Sequence, residues 1–216
     1  DGDPTYHTVV EGFGGGTTPV FAEMHLSEWS YDNITGLEDV HFVKMEVVNK
    51  NSFPWVGARF GIVCDPDLGD GNDDYIGCDI VRNLGYCFNS DNQDGTGSGN
   101  SYGANPPATG IDLLKGAVNR NVSPNADLYM TSFNFFTNAS STACETDPDT
   151  PEEAYNYLSG LKKDQTPYVN PVNNQLIRYC YPGDPETAVG WTEYTGKINN
   201  CGGAISGLVV TSTPGD

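Results

Sequence analysis

The chain has 216 residues and a strongly acidic composition, which together exclude several classes of function. Lys and Arg total 10 against 29 Asp and Glu, for a formal net charge of -19. Such a charge repels nucleic acids and anionic membranes and attracts cations. No apolar run approaches the roughly 18 residues of a membrane-spanning helix. We therefore expect no nucleic-acid partner and no membrane insertion, in a chain long enough for one large or two small domains.

The first 19 residues are glycine-rich and predict a flexible leading segment, after which β-strand patterns dominate. Ala22, Met24 and Leu26 alternate with polar residues, as in a half-buried strand. Further strands are predicted over residues 40–48, 60–64, 80–81 with 84–88, 128–136, 175–181 and 208–211. Between them, residues 89–110 are almost entirely Asn, Asp, Gly, Ser and Pro, which indicates a long loop.

One helix is predicted from residue 151 onward. Thr150 can cap it, Pro151 suits its first turn, Glu153 completes a capping box, and Gly160 helps to end it. Because strands outnumber helices, the predicted fold is mostly β. We expect an antiparallel two-sheet sandwich, jelly-roll-like, with long loops and this one short inserted helix. It would form a single domain over residues 20–216, and the ends of the chain read as the interior of a longer precursor.

Six cysteines are present, and none forms a C-x-x-C pair or has a histidine at metal-ligand spacing, which argues against a structural zinc site. An even number favours disulfides and an oxidising compartment, with a mixture of bridges and buried free thiols as the alternative. The spacing does not define the pairing. The cysteines are Cys64, Cys78, Cys87, Cys144, Cys180 and Cys201.

An aspartate-rich segment, residues 65–79, carries the most specific chemistry in the chain. Six carboxylates in fifteen positions would repel one another unless a cation lay between them. Calcium takes six to eight oxygen ligands, which Asp side chains and the carbonyls of Gly-containing turns can supply. The spacing differs from the EF-hand pattern, because Gly69 occupies the fifth position and no Glu follows at the twelfth. We therefore predict a calcium site of another kind.

A second copy of the pattern strengthens this prediction. Asp65-x-Asp67-x-x-Asp70-Gly71 recurs 24 residues later as Asn89-x-Asp91-x-x-Asp94-Gly95. Either two cation sites or one site shared by both segments would follow, and a solvated acidic loop is the alternative. The candidate ligands are Asp65, Asp67, Asp70, Asp73, Asp74, Asp79, Asn89, Asp91 and Asp94.

Catalytic motifs are not apparent. The sequence has no G-x-S-x-G elbow, phosphate loop, H-E-x-x-H or dinucleotide fingerprint. With 29 acidic residues, a pair of nearby carboxylates is expected by chance and does not indicate glycoside chemistry. Trp29, Trp55 and Trp191 could form a carbohydrate-stacking platform, although core packing is the more usual role of such residues. We therefore expect a protein that is not an enzyme.

Specific strings resemble a module of large secreted bacterial surface proteins that carry type IX secretion sorting domains. They are the acidic segment from Asp65 to Asp79, Asn83-Leu-Gly-Tyr-Cys-Phe-Asn89, Tyr102-Gly-Ala-Asn-Pro-Pro-Ala108 and Tyr155-Asn-Tyr-Leu-Ser-Gly-Leu161. The resemblance covers most of residues 29–191. It implies export, a β-rich fold and a cell-surface location, and it implies no activity.

Three roles remain open from the sequence. The first is an extracellular, calcium-stabilised structural or adhesive module, which could join a surface assembly or filament by adding a strand to a neighbouring copy. The second is a carbohydrate-binding module, with glycans as partners. The third is a non-catalytic part of a secreted polysaccharide-active enzyme.

Overall fold

The computed structural model describes residues 20–95, 101–122, 124, 126–137, 142–202 and 208–210. The leading segment 1–19 lies outside the described residues. The chain divides into two compact units, Asp1–Ala58 and Arg59–Asp216. This boundary falls within the range 20–216, so the single-domain assignment of that range stays a prediction. No helix among the described residues is long and apolar enough to cross a membrane.

The described part of the first unit is a two-stranded antiparallel ribbon. Strand β1 (Ala22–Ser30) pairs with β2 (His41–Asn49) over their whole lengths. Because side chains alternate across a strand, the register places a set of apolar residues on one face of the ribbon. That face contains Met24, Leu26, Val43, Met45 and Val47. The opposite face is mainly polar, with a 2.6 Å contact between Lys50 Nζ and Glu23 Oε2 at its end.

The second unit contains the remaining strands in four small antiparallel sheets. The largest is three-stranded, in the order β3 (Asp74–Asp79), β4 (Leu84–Asn89) and β5 (Ala108–Asp112). The other three are strand pairs. They are β6 (Val118–Asn119) with β7 (Ala126–Asp127), β8 (Tyr168–Asn170) with β9 (Gln175–Ile177), and β10 (Lys197–Asn199) with β11 (Leu208–Val210).

The predicted β-rich, antiparallel character is confirmed, whereas the two-sheet jelly-roll sandwich is not. The predicted strands 60–64 and 128–136 are not strands in the structure, and the predicted strand residues 80–81 lie instead in the turn between β3 and β4. In segment 128–136, tyrosine hydroxyls occupy backbone groups that a sheet would use: Tyr179 Oη donates to the Met130 carbonyl and Tyr168 Oη to the Phe135 carbonyl. Among the described residues, segment 128–136 keeps one isolated β-bridge, between Phe133 and Tyr179.

The predicted helix is confirmed as α1 (Pro151–Leu158). The Thr150 hydroxyl accepts a hydrogen bond from the Glu153 N–H, and the Glu153 carboxylate accepts one from the Thr150 N–H, so both halves of the capping box form. The helix ends before Gly160, whose φ of +76° is costly for any residue with a Cβ atom. These local signals act within one turn, which explains why the sequence located the helix correctly.

The core of the second unit is aromatic. Trp191 and Tyr181 pack at 5.0 Å between ring centroids, beside Tyr168 and the buried Cys180. Trp191 is 2% exposed, and its Nε1 donates to the Gly196 carbonyl at 2.5 Å. This tryptophan is therefore a core residue and cannot stack on a glycan from the surface.

One disulfide joins Cys144 to Cys201, and the other four cysteines are free. The mixture of bridges and thiols is thus what the structure shows. Cys78, Cys87 and Cys180 are buried, and Cys78 Sγ donates to the Cys180 carbonyl at 3.2 Å. Burial raises the pKa of Cys78 to about 12, which keeps this thiol protonated and unreactive.

Replacing Trp191 should destabilise the second unit strongly. We expect Trp191→Ala to lower the free energy of unfolding by about 3–5 kcal/mol, because it leaves a large cavity and an unpaired Gly196 carbonyl. Urea denaturation measured by circular dichroism would report the change. Tyr194→Ala is the matched control, since Tyr194 is 71% exposed, and its effect should stay within about 0.5 kcal/mol. Equal losses in the two variants would contradict the assignment of Trp191 to the core.

Candidate cation site

The acidic segment 65–79 folds as two parts. A short 3-10 turn, Gly71–Asp73, leads into β3, whose first residue is Asp74. Asp70 caps the turn, since its Oδ1 accepts a hydrogen bond from the Asn72 backbone N–H at 3.4 Å, and the same oxygen also accepts one from Asn72 Nδ2 at 2.7 Å. The second half of the segment is therefore a strand, which the sequence prediction of a loop missed.

The register of β3 and β4 brings the two copies of the acidic pattern together. Asp74 at the start of β3 is paired with Asn89 at the end of β4, so residues 65–73 and 90–94 emerge at the same end of the hairpin. Three hydrogen bonds from backbone N–H groups join the two parts of the chain. Asp70 N–H donates to Asp94 Oδ1 at 2.9 Å and Ser90 N–H to the Asp73 carbonyl at 2.7 Å, and the N–H of the adjoining Gly95 donates to the Asp73 carboxylate. The geometry matches one shared cluster better than two separate sites.

Gly95 leaves room for two carboxylates of the cluster to lie against the backbone. A Cβ atom at residue 95 would lie 2.6 Å from Asp70 Oδ2 and 3.0 Å from Asp73 Oδ2, so any side chain there would displace both carboxylates. Gly71 is equivalent in the first copy, where a Cβ atom would collide with Asp67 Oδ1. The glycines of the two D-G pairs therefore let carboxylates approach the backbone.

The centre of the cluster is buried and only partly satisfied. Asp74 is 6% exposed; its Oδ2 accepts a hydrogen bond from the Leu68 N–H at 2.7 Å, but its Oδ1 receives none from the described residues. Asp73 Oδ1 is likewise buried and receives no hydrogen bond from the described residues, and the buried Asn89 Nδ2 donates to none of their acceptors. Such groups cost about 1–3 kcal/mol each when they stay unpaired, and more when charged.

Electrostatics separate the carboxylates into two kinds. Burial raises the pKa of Asp74 and has the largest effect. The negative charges of Asp73, Asp94 and Asp67 raise it further. Burial and neighbouring charges also raise the pKa of Asp73. In contrast, hydrogen bonds from the N–H groups of Asp70 and Tyr102 lower the pKa of Asp94, whose two oxygens they occupy. Asp94 thus anchors the cluster, while Asp73 and Asp74 carry uncompensated repulsion.

The other predicted ligands lie at the rim of the cluster or away from it. Asp65, Asp67 and Asp91 are exposed, and Asp91 accepts a hydrogen bond from the Gln93 N–H at 2.7 Å. Asp79 occupies the far end of β3, where it pairs with Arg82 and accepts its N–H at 3.0 Å. The hydrogen bond from the Arg82 side chain lowers the pKa of Asp79. The structure therefore separates Asp79 from the cluster and gives it a role in the β3–β4 turn.

The carboxylates of the cluster are not drawn tightly around one point. Among the described residues, the one group of three His, Cys, Asp or Glu side chains whose ligand atoms all lie within 4.8 Å is Cys144, Asp164 and Cys201. Its two cysteines are bonded to each other and cannot act as thiolate ligands. Binding of an ion by Asp70, Asp73 and Asp74 would thus require their side chains to rotate inward.

A second group of charged residues, which sequence reasoning missed, lies inside the same unit. Glu145 is fully buried and holds two lysines, with Lys162 Nζ 2.6 Å from its Oε1 and Lys197 Nζ 2.5 Å from its Oε2. Lys162, which is 1% exposed, also donates to the Asn200 carbonyl at 3.2 Å. The one available signal was position, because Glu145 and Asn200 each adjoin a cysteine of the Cys144–Cys201 disulfide.

Comparison with protein-family models, curated proteins and solved structures gives no match to this chain. The resemblance to type IX secretion surface modules therefore stays a prediction. The sites are interpreted below from their own geometry.

Removing the buried charge of Asp74 should stabilise the calcium-free protein. Burial raises the folded-state pKa of Asp74 above its ordinary value, so ionisation opposes folding, and the cost grows as the pH rises above that ordinary value. We expect Asp74→Asn to have a higher urea midpoint than wild type at pH 7 in calcium-free buffer. This difference should shrink as the pH is lowered, because the wild-type carboxyl then becomes protonated and loses the charge that opposes folding.

The exposed Asp91 provides the control for that experiment, and Asp91→Asn should change the midpoint much less. A wild-type protein as stable as Asp74→Asn at neutral pH would show that the repulsion assigned to Asp74 is absent.

Proposed function

We propose that this chain is a non-catalytic structural or adhesive module of a secreted surface protein, stabilised by calcium at the cluster of Asp67, Asp70, Asp73, Asp74 and Asp94. The observation that carries the proposal is the pair of buried, donor-free oxygens, Asp73 Oδ1 and Asp74 Oδ1, within a group of mutually repelling carboxylates. A divalent cation supplies the positive charge that these oxygens lack.

Calcium suits this cluster better than smaller ions. It accepts six to eight oxygens at about 2.3–2.6 Å in flexible geometry, whereas magnesium requires a near-ideal octahedron. The cluster joins two segments and offers carboxylates from both, which suits the flexible coordination of calcium. Exposed rim residues such as Asp67 and Asp91 can complete the coordination by rotating their side chains.

The carboxylates serve as ligands rather than as acid–base catalysts in this proposal. A general acid or base must have an oxygen free to exchange a proton with a substrate. Asp94, the most buried of the group, has both oxygens occupied by backbone donors. Asp74 has one oxygen tied to the Leu68 N–H, and its other oxygen is buried.

An extracellular location is part of the proposal. The Cys144–Cys201 disulfide is typical of proteins that fold in an oxidising compartment. Extracellular calcium concentrations also match sites with dissociation constants of about 10⁻⁴–10⁻³ M. Export through type IX secretion to the bacterial cell surface is the form that the sequence resemblance suggests.

Assembly with other copies is supported by the ribbon in the first unit. A two-stranded ribbon is marginally stable alone and leaves its outer edges available to another strand. Most of the apolar face is exposed, including Met24 at 59% and Val43 at 56%. We propose that a second copy pairs with this ribbon, which would extend a surface filament by strand addition.

Calcium should raise the stability of the second unit. At calcium concentrations about 100 times the dissociation constant, the free energy of unfolding should increase by about 2.7 kcal/mol. Asp70→Asn combined with Asp73→Asn should abolish most of this increase, because two of the converging carboxylates are lost. Thermal melting with calcium and with EDTA would measure the shift.

Asp79→Asn is the matched control for the calcium experiment, since Asp79 lies at the other end of β3 and pairs with Arg82. Its calcium response should equal that of wild type. A wild-type melting temperature that is the same in calcium and in EDTA would falsify the proposed site.

Disrupting the apolar face of the ribbon should prevent self-association. Leu26 and Met45 face each other across β1 and β2, so Leu26→Lys with Met45→Lys places two charges at its centre. We expect sedimentation velocity in calcium to show concentration-dependent association of wild type that this variant lacks. Ser27→Lys, on the opposite face, should associate like wild type. A wild-type chain that remains monomeric at every concentration would exclude assembly through this surface.

A further inference from the structure

The buried group around Glu145 brings an amine against a carboxamide. Lys162 Nζ lies 3.5 Å from Asn200 Oδ1, and 2.6 Å from the carboxylate oxygen Glu145 Oε1. All three residues are nearly or completely excluded from solvent, with Lys162 1% and Asn200 8% exposed. An amine, an amide carbon and a carboxylate that can relay protons are thus held together in a site without bulk water.

Two polar atoms of this group have no hydrogen-bond partner among the described residues. Asn200 Nδ2 is buried and donates to nothing, and the contact of Glu145 Oε1 with Lys162 is close in distance but outside hydrogen-bond geometry. An unpaired buried amide is costly and rare in folded proteins. The cost would disappear if the Asn200 amide nitrogen left the protein.

We propose that Lys162 and Asn200 become joined by an amide bond between their side chains. Lys162 Nζ attacks Asn200 Cγ, a new Nζ–Cγ bond forms, and the Cγ–Nδ2 bond breaks. Two of the three protons of the Lys162 ammonium pass by way of Glu145 to the departing nitrogen, which leaves as ammonium. Glu145 ends the reaction as the carboxylate it was at the start, and no oxidant, metal or other reactant is required.

The surrounding structure provides what this reaction needs. Lys197 holds the second oxygen of Glu145 at 2.5 Å, which fixes the orientation of the carboxylate and balances its charge when Lys162 loses its proton. The disulfide holds Cys144 against Cys201, and therefore their neighbours Glu145 and Asn200, although 57 positions separate the two cysteines. Fixed reactants in a dry site can react far faster than the same groups free in water.

An ordinary buried ion pair is the competing interpretation. Lys162 also donates to the Asn200 backbone carbonyl at 3.2 Å, and this contact satisfies one of the hydrogen-bond donors of the amine without a covalent bond. The two interpretations differ in covalent structure, because the amide bond removes one ammonia from the mass of the chain and survives both reduction and denaturation.

Peptide mapping of the wild-type chain is the decisive experiment. Trypsin places Lys162 and Asn200 in different peptides, but the Cys144–Cys201 disulfide joins the same two peptides. The folded protein must therefore be denatured, reduced and alkylated before digestion. We expect a cross-linked species of residues 121–163 with 198–216, lacking one ammonia and uncleaved after Lys162, and fragment spectra that locate the link.

Substitutions assign the roles of the residues. Lys162→Arg and Asn200→Ala should each abolish the cross-linked species, and Glu145→Gln should reduce it at least tenfold while the disulfide still forms. Lys163→Arg is the matched control, since Lys163 contacts Asp149 at the surface and should leave the cross-link unchanged. Recovery of unlinked peptides 121–162 and 198–216 from folded, disulfide-bonded wild type would overturn the proposal, whatever the variants do. So would a cross-link that persists in Lys162→Arg.

Discussion

Backbone pairing between Asp74 and Asn89 is the constraint on which the acidic site depends. Because β3 and β4 are antiparallel and in this register, the chain must bring two acidic segments to one end of a hairpin. The hydrogen bonds between β3 and β4 hold the two segments together against the mutual repulsion of their carboxylates. Further hydrogen bonds, such as that from the Asp70 N–H to Asp94, continue this pairing into the loops. The cluster is therefore imposed by the sheet and is not a chance gathering of surface charge.

The second buried site follows another logic, in which one covalent link fixes the positions of its neighbours. Glu145 and Asn200 adjoin the disulfide, and Lys162 reaches both from the segment after α1. Burial of Glu145 and Lys162, with Lys197 half-buried beside them, is expensive, and removing one partner from such a group is typically destabilising. The two sites share a principle, since in both the fold holds together polar groups that would separate in water.

The sequence was informative where the interactions are local. The capping box placed α1, and the repeat of the D-x-D-x-x-D-G pattern identified two segments that lie together in the structure.

The sequence was uninformative where contacts between distant parts of the chain determine the structure. Asp79 belongs to the same acidic run as Asp74, yet the two lie at opposite ends of the six-residue strand β3. The 128–136 segment looked like a strand because of its aromatics, but tyrosines from residues 168 and 179 take its carbonyls. The one local signal of Glu145, a neighbouring cysteine, is shared by Asp65 and Asp79, and the burial of Glu145 depends on a disulfide partner far along the chain.

The glycine at residue 95 has an evolutionary consequence. A Cβ atom at this position would contact the carboxylates of Asp70 and Asp73. A substitution of Gly95 therefore changes the surroundings of both aspartates. A lineage that replaced Gly95 would lose the selection that keeps those acids, and they would then drift. Among homologous chains, glycine at this position should accompany the aspartates as one inherited unit, which makes it a better marker of the site than the number of acidic residues.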